Sequence, residues 1–230
     1  MQWARKLAFA APILLLLLCA RPASAADDLK TVLHQLDEAA KNFHTASAKF
    51  EWKTLQTEPV PDTDIKTGTV YYERKGTDLK TAAHIDTDNG HPFRQMYTIS
   101  QGALKLYDEN LNHVTTYHYA YIASYAMLGF GASGQDFENK FDVTYQGQET
   151  IDGVRTDKLQ LIPKDPKVLN TFHSITVWID PVRDVNLKQV FDEGDGMSLV
   201  CTYSDIQVNK PVSAEHFTLK TDRKTTYTNQ

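Results

Sequence analysis

The sequence predicts one α+β domain built on a long, curved antiparallel sheet whose apolar concave face is partly covered by helices. Three observations carry that prediction. Gly68 to Tyr119 reads as short strands joined by tight turns, with no helix-length gap between them. Strands so closely spaced must pair antiparallel, because a parallel crossover needs a dozen or more residues. Second, apolar and polar residues alternate through nearly every strand, so each has one face for a core and one for water. Third, about ten or eleven strands accompany only two helical candidates, and so long a sheet must curl or be covered.

The chain opens with a targeting segment. Arg5 and Lys6 precede the apolar run Leu7 to Ala20, and Ala23-Ser24-Ala25 is a small-x-small cleavage signal. The run is short for a bilayer span. Residues 1–25 are therefore expected to be a cleaved signal peptide, leaving 26–230 as a single exported domain. Lipidation at Cys19 is the competing reading, and Leu18 is bulky where lipoprotein signals favour a small residue.

Charge bounds the partners. Lys and Arg number 24 against 29 Asp and Glu, and Arg5, Lys6 and Arg21 lie in the leader, so the mature chain is more acidic than the formal −5. This argues against nucleic acid or an anionic membrane surface as the main partner. Beyond the leader Cys201 is the single cysteine, so no intramolecular disulfide is expected. It sits in the apolar strand Met197 to Tyr203 with no basic neighbour in sequence, as a small hydrophobe rather than a nucleophile.

In order along the chain, Asp27 or Asp28 caps a helix whose stripe is Leu29, Val32, Leu33, Leu36, Ala40 and Phe43. Ala46, Ala48, Phe50 and Trp52 then alternate with polar residues as a half-buried strand. Glu58 to Lys66 reads as a loop, with Pro59 and Pro61 blocking ladder pairing. Val70, Tyr72 and Arg74 share the inward face of the next strand. Leu79, Thr81, Ala83 and Ile85 share that of another, opposite Lys80, Ala82, His84 and Asp86. Leu104 and Leu106 follow the Gly102 turn. Tyr121 to Leu128 predicts a short helix, Gly129 to Gly134 a hinge loop, and Asp136 and Glu138 a polar turn. Strands resume with Phe141, Val143 and Tyr145 on one face, then Leu159 and Leu161, then Ile175, Val177 and Ile179. Val185, Leu187, Gln189 and Phe191 come next, and finally Met197, Leu199, Cys201 and Tyr203. The tail from Thr221 reads as frayed.

The chemistry motifs are sparse. Gly129 to Gly134 matches G-x-G-x-x-G, but that motif needs a strand before it and a helix opening at its last glycine. Here a helical run precedes it and a strand follows within few residues, so nucleotide binding is rejected. The eight histidines are dispersed and show no metal-ligand spacing. Acidic pairs such as Asp180/Asp184 belong to turns, and no serine has a nucleophile context. An enzyme is unmotivated and no cofactor is implied. The aromatic residues on the apolar faces fit either a filled core or a ligand cavity. Arg74 favours the cavity, because a guanidinium in phase with Val70 and Tyr72 needs partners at an apolar interior.

At this point the chain resembles the bacterial periplasmic outer-membrane lipoprotein carriers, the LolA-like family. The amphipathic helix runs into an A-x-F strand at Ala48 and Phe50, and Gly68 to Arg74 resembles the family's G-x-aliphatic-aromatic-x-x-Arg strand. Ser100 to Asp108 with Asn112 to Val114, and Ser213 to Leu219, resemble two further blocks in the family order. Lys75-Gly76 follows Arg74 where the family usually has Pro. The resemblance implies an unclosed antiparallel half-barrel of about 11 strands, with helices forming a lid over an apolar cavity.

It also implies a periplasmic, non-enzymatic, monomeric carrier of acylated lipoproteins. Such a carrier would be loaded by an inner-membrane lipoprotein-releasing ABC transporter and unloaded to an outer-membrane acceptor. The implied acyl contacts are Phe50, Trp52, Val70, Tyr72, Leu104, Leu106, Phe141 and Val143, and Arg74 takes the lid latch. The lid and hinge are Tyr121, Ile122, Tyr125, Met127, Leu128, Gly129 and Gly131. The alternative is a sensor or binder of another lipid on the same fold.

Overall fold

The amphipathic stripe at the start of the chain forms helix α1, Ala25–Lys41, and its apolar positions Val32, Leu33 and Leu36 are buried. Each such side chain contributes about 1.5–3 kcal/mol by burial, which holds the helix on the sheet. The computed structural model describes residues 25–76, 78–100, 102–118, 125 and 128–230. Residues 1–24, all of the expected leader but Ala25, lie outside them, as do Tyr121, Ile122 and Met127 of the expected lid.

Among the described residues twelve strands form one sheet. Six come first: β1 Thr45–Gln56, β2 Asp62–Lys75, β3 Asp78–Asp88, β4 His91–Ser100, β5 Ala103–Asp108 and β6 His113–Tyr117. Helix α2, Gly134–Lys140, precedes β7 Phe141–Ile151 and β8 Val154–Pro163. A single turn α3, Pro166–Leu169, leads to β9 Ser174–Asp180, β10 Val185–Gly194, β11 Met197–Val208 and the terminal β12 Thr226–Asn229. The spatial order is β12-β6-β5-β4-β3-β2-β1-β11-β10-β9-β8-β7, so β12 and β7 are free edges and the barrel is unclosed. Every pairing is antiparallel except β12 with β6. Register shifts interrupt the ladder in β1, β2, β3, β7 and β10, and such bulges add twist and bend.

Strand phase is as the alternation predicts. Ala46, Ala48, Phe50, Val70 and Tyr72 are buried on the inner face, with Ala83 and Ile85 beside them. Four expectations are corrected. Strand β2 begins at Asp62, inside the expected loop, because Asp62 to Lys66 pairs along β1 from Gln56 back to Trp52. The prolines confine the loop to residues 57–61. The expected polar turn around Asp136 and Glu138 is helix α2, nucleated by a capping box. Ser133 accepts from the Asp136 amide, and the Asp136 carboxylate accepts from the Ser133 amide. The tail is not frayed, since Thr226 to Asn229 pairs along His113 to Thr116.

The fourth correction concerns the outer face, which is not uniformly polar. Ala82, Met96, Tyr107 and Val114 form a second small core there, closed by Phe217 and Leu219 of the C-terminal segment. A short 3₁₀ helix, Ala214–Phe217, anchors that segment, with the His216 ring stacked on Tyr71 at 3.9 Å.

Candidate functional site

The main core fills only part of the concave face. Toward β7, β8 and β9 the sheet is packed by α1 and α2: Leu36, Phe137, Phe141, Leu159, Leu161, Ile175 and Val177 are all 0–1% exposed. Among the described residues neither α1 nor α2 packs over the sheet toward β1 to β5, and an apolar cavity of about 250 Å³ lies there. Its walls are Trp52, Val70, Tyr72, Thr81, Ala83, Tyr97, Ile99 and Leu104 on one side. Phe172, Gln189, Phe191, Leu199, Cys201 and Tyr203 close the other. None of these side chains is charged.

The expected contacts divide accordingly. Trp52, Val70, Tyr72 and Leu104 line the cavity. Phe50 is buried behind Trp52, its ring stacked on the indole at 4.4 Å between centroids. Leu106 pairs with Tyr97 on the same face but is not part of the wall. Phe141 and Val143 stand on β7, the far edge, where Phe141 packs edge-on against Tyr125 at 5.3 Å and close to Phe137. They belong to the filled half because α1 and α2 lie directly over that edge.

The Arg74 side chain spans two elements. Its Nη1 donates to the Ala40 carbonyl at the end of α1 at 3.3 Å, and its Nη2 donates to the Gly131 carbonyl at 2.7 Å. The last carbonyls of a helix lack intrahelical partners and carry partial negative charge, so a guanidinium is favoured there. Its charge also lies 5.6 Å from the centre of the Phe43 ring. Gly131 has φ +75°, and a Cβ there would overlap that same ring. The loop thus approaches α1 closely only because residue 131 is glycine.

Between Gly129 and Gly131 the loop inserts Phe130, which is 0% exposed. Its ring stacks on Tyr72 at 4.7 Å and meets Tyr203 edge-on at 5.1 Å. Two cavity walls are therefore covered by one loop side chain that Arg74 helps to hold. Leu128 donates its amide to the Tyr125 carbonyl at 3.4 Å, just upstream.

A helix does open at Gly134, contrary to the expectation, but it forms no phosphate cradle. The carboxylate of Asp37 accepts from the Gln135 amide, the Ser133 hydroxyl accepts from that of Asp136, and a Cβ on residue 134 would overlap the Leu33 carbonyl. Those amides already have acceptors, one of them anionic, so the dinucleotide reading fails on geometry.

The sequence reading missed the polar floor of the cavity. Gln189 is 0% exposed and donates from Nε2 to the Tyr203 hydroxyl at 2.8 Å. Asn186, also 0% exposed, donates from Nδ2 to Gln189 Oε1 at 3.1 Å. Gln189 stands in phase with Val185, Leu187 and Phe191, so the logic that singled out Arg74 would have found it. Burial pushes the Cys201 thiol up to about 12, which keeps it a thiol at neutral pH. Burial likewise raises the Tyr72 and Tyr203 phenols. Among the described residues, no three His, Cys, Asp or Glu side chains converge.

No family model and no curated protein matches the chain. Solved structures do. An uncharacterised conserved protein from Thermus thermophilus superposes with a TM-score of 0.56 at 9% identity, covering 88% of this chain and 99% of that one. MucB superposes at 0.53 with 11% identity over 86% of this chain, which spans 64% of MucB. LolA superfamily proteins are among the structural neighbours. One from Nitrosomonas europaea superposes at 0.42 with 14% identity, covering 83% of this chain and 97% of that one. At such identities what is shared is the fold.

Proposed function

We propose that this protein is a non-enzymatic periplasmic carrier that binds acyl chains in the concave cavity and ferries acylated lipoproteins toward the outer membrane. The observation that carries the reading is the apolar, uncharged cavity beneath a loop that Arg74 ties to α1. Each acyl methylene taken from water contributes about 0.8 kcal/mol, so binding needs no covalent step. A cavity of about 150 Å³ holds a benzene ring, so this one accommodates about ten heavy atoms, a single medium-length chain.

Longer or multiple chains require Phe130 to leave Tyr72 and Tyr203, which requires the Arg74 contacts to open. Arg74 is then a latch whose closed state competes with cargo, and Gly129 and Gly131 flank the moving side chain. Loading from an inner-membrane transporter and delivery to an outer-membrane acceptor complete the route, as in the family the sequence resembles. The cavity size favours a second reading, a same-fold binder or sensor of one single-chain lipid.

Native mass spectrometry of the protein gently purified from the periplasm decides between them. A bound acylated polypeptide supports the carrier, and a small lipid alone supports the second reading. An empty protein that also ignores a fluorescent acyl probe removes both.

A further inference from the structure

The stretch that carries α1 into β1, residues 40–45, is held from two sides. From β2, the Arg74 guanidinium donates to the Ala40 carbonyl at 3.3 Å, and the Arg74 amide donates to the His44 carbonyl at 2.7 Å. The carbonyl between them in sequence, that of Asn42, accepts from Asn209 Nδ2 at 2.8 Å. Asn209 lies just past β11. Its Oδ1 accepts from the His44 amide at 2.8 Å and from the Thr45 amide at 3.4 Å, and its own amide donates to the Thr45 carbonyl at 2.8 Å. The Thr45 hydroxyl donates in return to the Lys210 carbonyl at 2.7 Å. A carboxamide suits this place because it accepts and donates from one planar group. The Asn209 backbone is left-handed, with φ +55°, a conformation that Asn tolerates.

We propose, resting on the latch reading of Arg74 above, that Asn209 is a positioning residue for that latch. It holds residues 42–45 so that the Ala40 carbonyl stands within reach of the guanidinium that also holds Gly131. Two features make the latch sensitive to this stretch. The Ala40 bond, at 3.3 Å, is longer than the Gly131 bond, at 2.7 Å, so a small displacement breaks it first. Phe43 lies in the same stretch and is buried. Gly131 rests against its ring, which a Cβ on residue 131 would overlap, and the Arg74 charge lies 5.6 Å from the ring centre. Moving residues 42–45 therefore disturbs both the carbonyl and the ring that the loop needs. Asn209 also opens the segment whose Phe217 and Leu219 close the outer core, so the outer cover and the inner latch meet at one side chain.

The test is hydrogen exchange of residues 128–134 in the ligand-free protein, with the off-rate of a fluorescent acyl probe as a second readout. Asn209→Gly deletes the carboxamide but keeps the left-handed backbone and its amide bond to Thr45. It is expected to speed exchange of the loop and of the probe about three- to tenfold, the range of one net hydrogen bond. In an Arg74→Leu background the same substitution should add little, because the latch it serves is already open. Independent effects would multiply instead.

Asn89→Gly is the control. Asn89 also has a positive φ, +49°, and its side chain accepts from the Ile65 amide and donates to Asp64, each at 2.9 Å. It follows Asp88, which pairs with Lys66 at the other end of β2 from Arg74. Its loss should leave residues 128–134 unchanged. Loop exchange raised as much by Asn89→Gly, or factors that multiply in the double variant, overturns the positioning role. A loop that Arg74→Leu opens and Asn209→Gly leaves unchanged overturns it too, and leaves the latch standing. If neither substitution moves the loop, the latch reading falls and the positioning role with it. If no variant binds the acyl probe, the carrier reading falls, and hydrogen exchange still decides the positioning role.

Discussion

The two halves of the sheet are covered on opposite faces. Around β7, β8 and β9 the concave side is filled beneath α1, α2 and α3, while the convex side carries polar and charged side chains around one buried indole. There Trp178 lies between Lys158 and Lys188, at 5.0 and 4.6 Å from its ring, with Glu149 on its indole N–H. Around β3 to β6 the arrangement is reversed. The convex side carries the Ala82, Met96, Tyr107 and Val114 core under the C-terminal segment, and the concave side keeps the cavity. A sheet must bury one face to be stable, and either face will do. By burying its outer face, the open half is relieved of the need to fill its inner one. That is how a cavity persists in a fold whose inner residues are mostly apolar.

The sharpest way to break this comparison is to truncate one leucine in each half. Leu161 is 0% exposed between Val143 and Ile175, and Leu161→Ala is expected to cost about 2–5 kcal/mol, as buried leucine truncations do. Leu104 is half-buried at the cavity wall, and Leu104→Ala is expected to cost less than about 1.5 kcal/mol while weakening an acyl probe about fivefold. Denaturant melts and probe titration of both variants measure it. Equal losses of stability would erase the distinction between filled and open halves.

Why the halves were not separable in the sequence follows from the same geometry. Strand alternation identified the inner face correctly at Val70, Tyr72, Phe141 and Val143, but all four look alike to a period-two pattern. What sets Phe141 apart from Tyr72 is which strands the helices overlie, a long-range fact fixed by α1 packing on α2 and β7. Ala82 likewise read as outward and is 0% exposed, because residues more than a hundred positions later cover it. Local signals that were legible went unused: Ser133 and Asp136 spell a capping box, and Gln189 keeps inward phase. Arg74 stood out because one cation in an apolar phase admits few explanations, and the structure gives it two carbonyls at the junction of the halves.

Arg74 therefore sharpens the comparison at its boundary. Arg74→Leu removes the hydrogen bonds to Ala40 and Gly131 and is expected to cost about 2 kcal/mol, the scale of a charged hydrogen bond. Hydrogen exchange should accelerate at the end of α1 and in residues 129–134, with β8 and β9 unchanged. Probe exchange should quicken as Phe130 is released. Arg74→Lys should fall between, since an ammonium lacks the fork that reaches both carbonyls. Unchanged exchange in the loop would mean that Phe130 alone holds it down.

The smallest expected effect lies on the outer cover of the open half. Burial holds the His216 pKa below its ordinary value, and the neighbouring His84 and Lys220 act in the same direction against Glu215. His84 Nε2–H donates to the His216 carbonyl at 2.8 Å, and the neutral His216 ring stacks on Tyr71. In the unfolded chain this imidazole takes its proton near pH 6.5, while in the folded protein it does so only at lower pH. As pH falls through that window the unfolded state binds more protons, so stability declines; above it, His216 contributes no pH dependence. The ring is partly exposed, which keeps the effect to no more than about two degrees in Tm between pH 7.5 and 5.5. His216→Phe keeps a stacked ring without a titrating group, and its Tm should fall less over that interval than that of the unsubstituted protein. Identical slopes would show that the outer cover holds equally well over a protonated ring. The acid sensitivity of the open half would then have to come from its carboxylates.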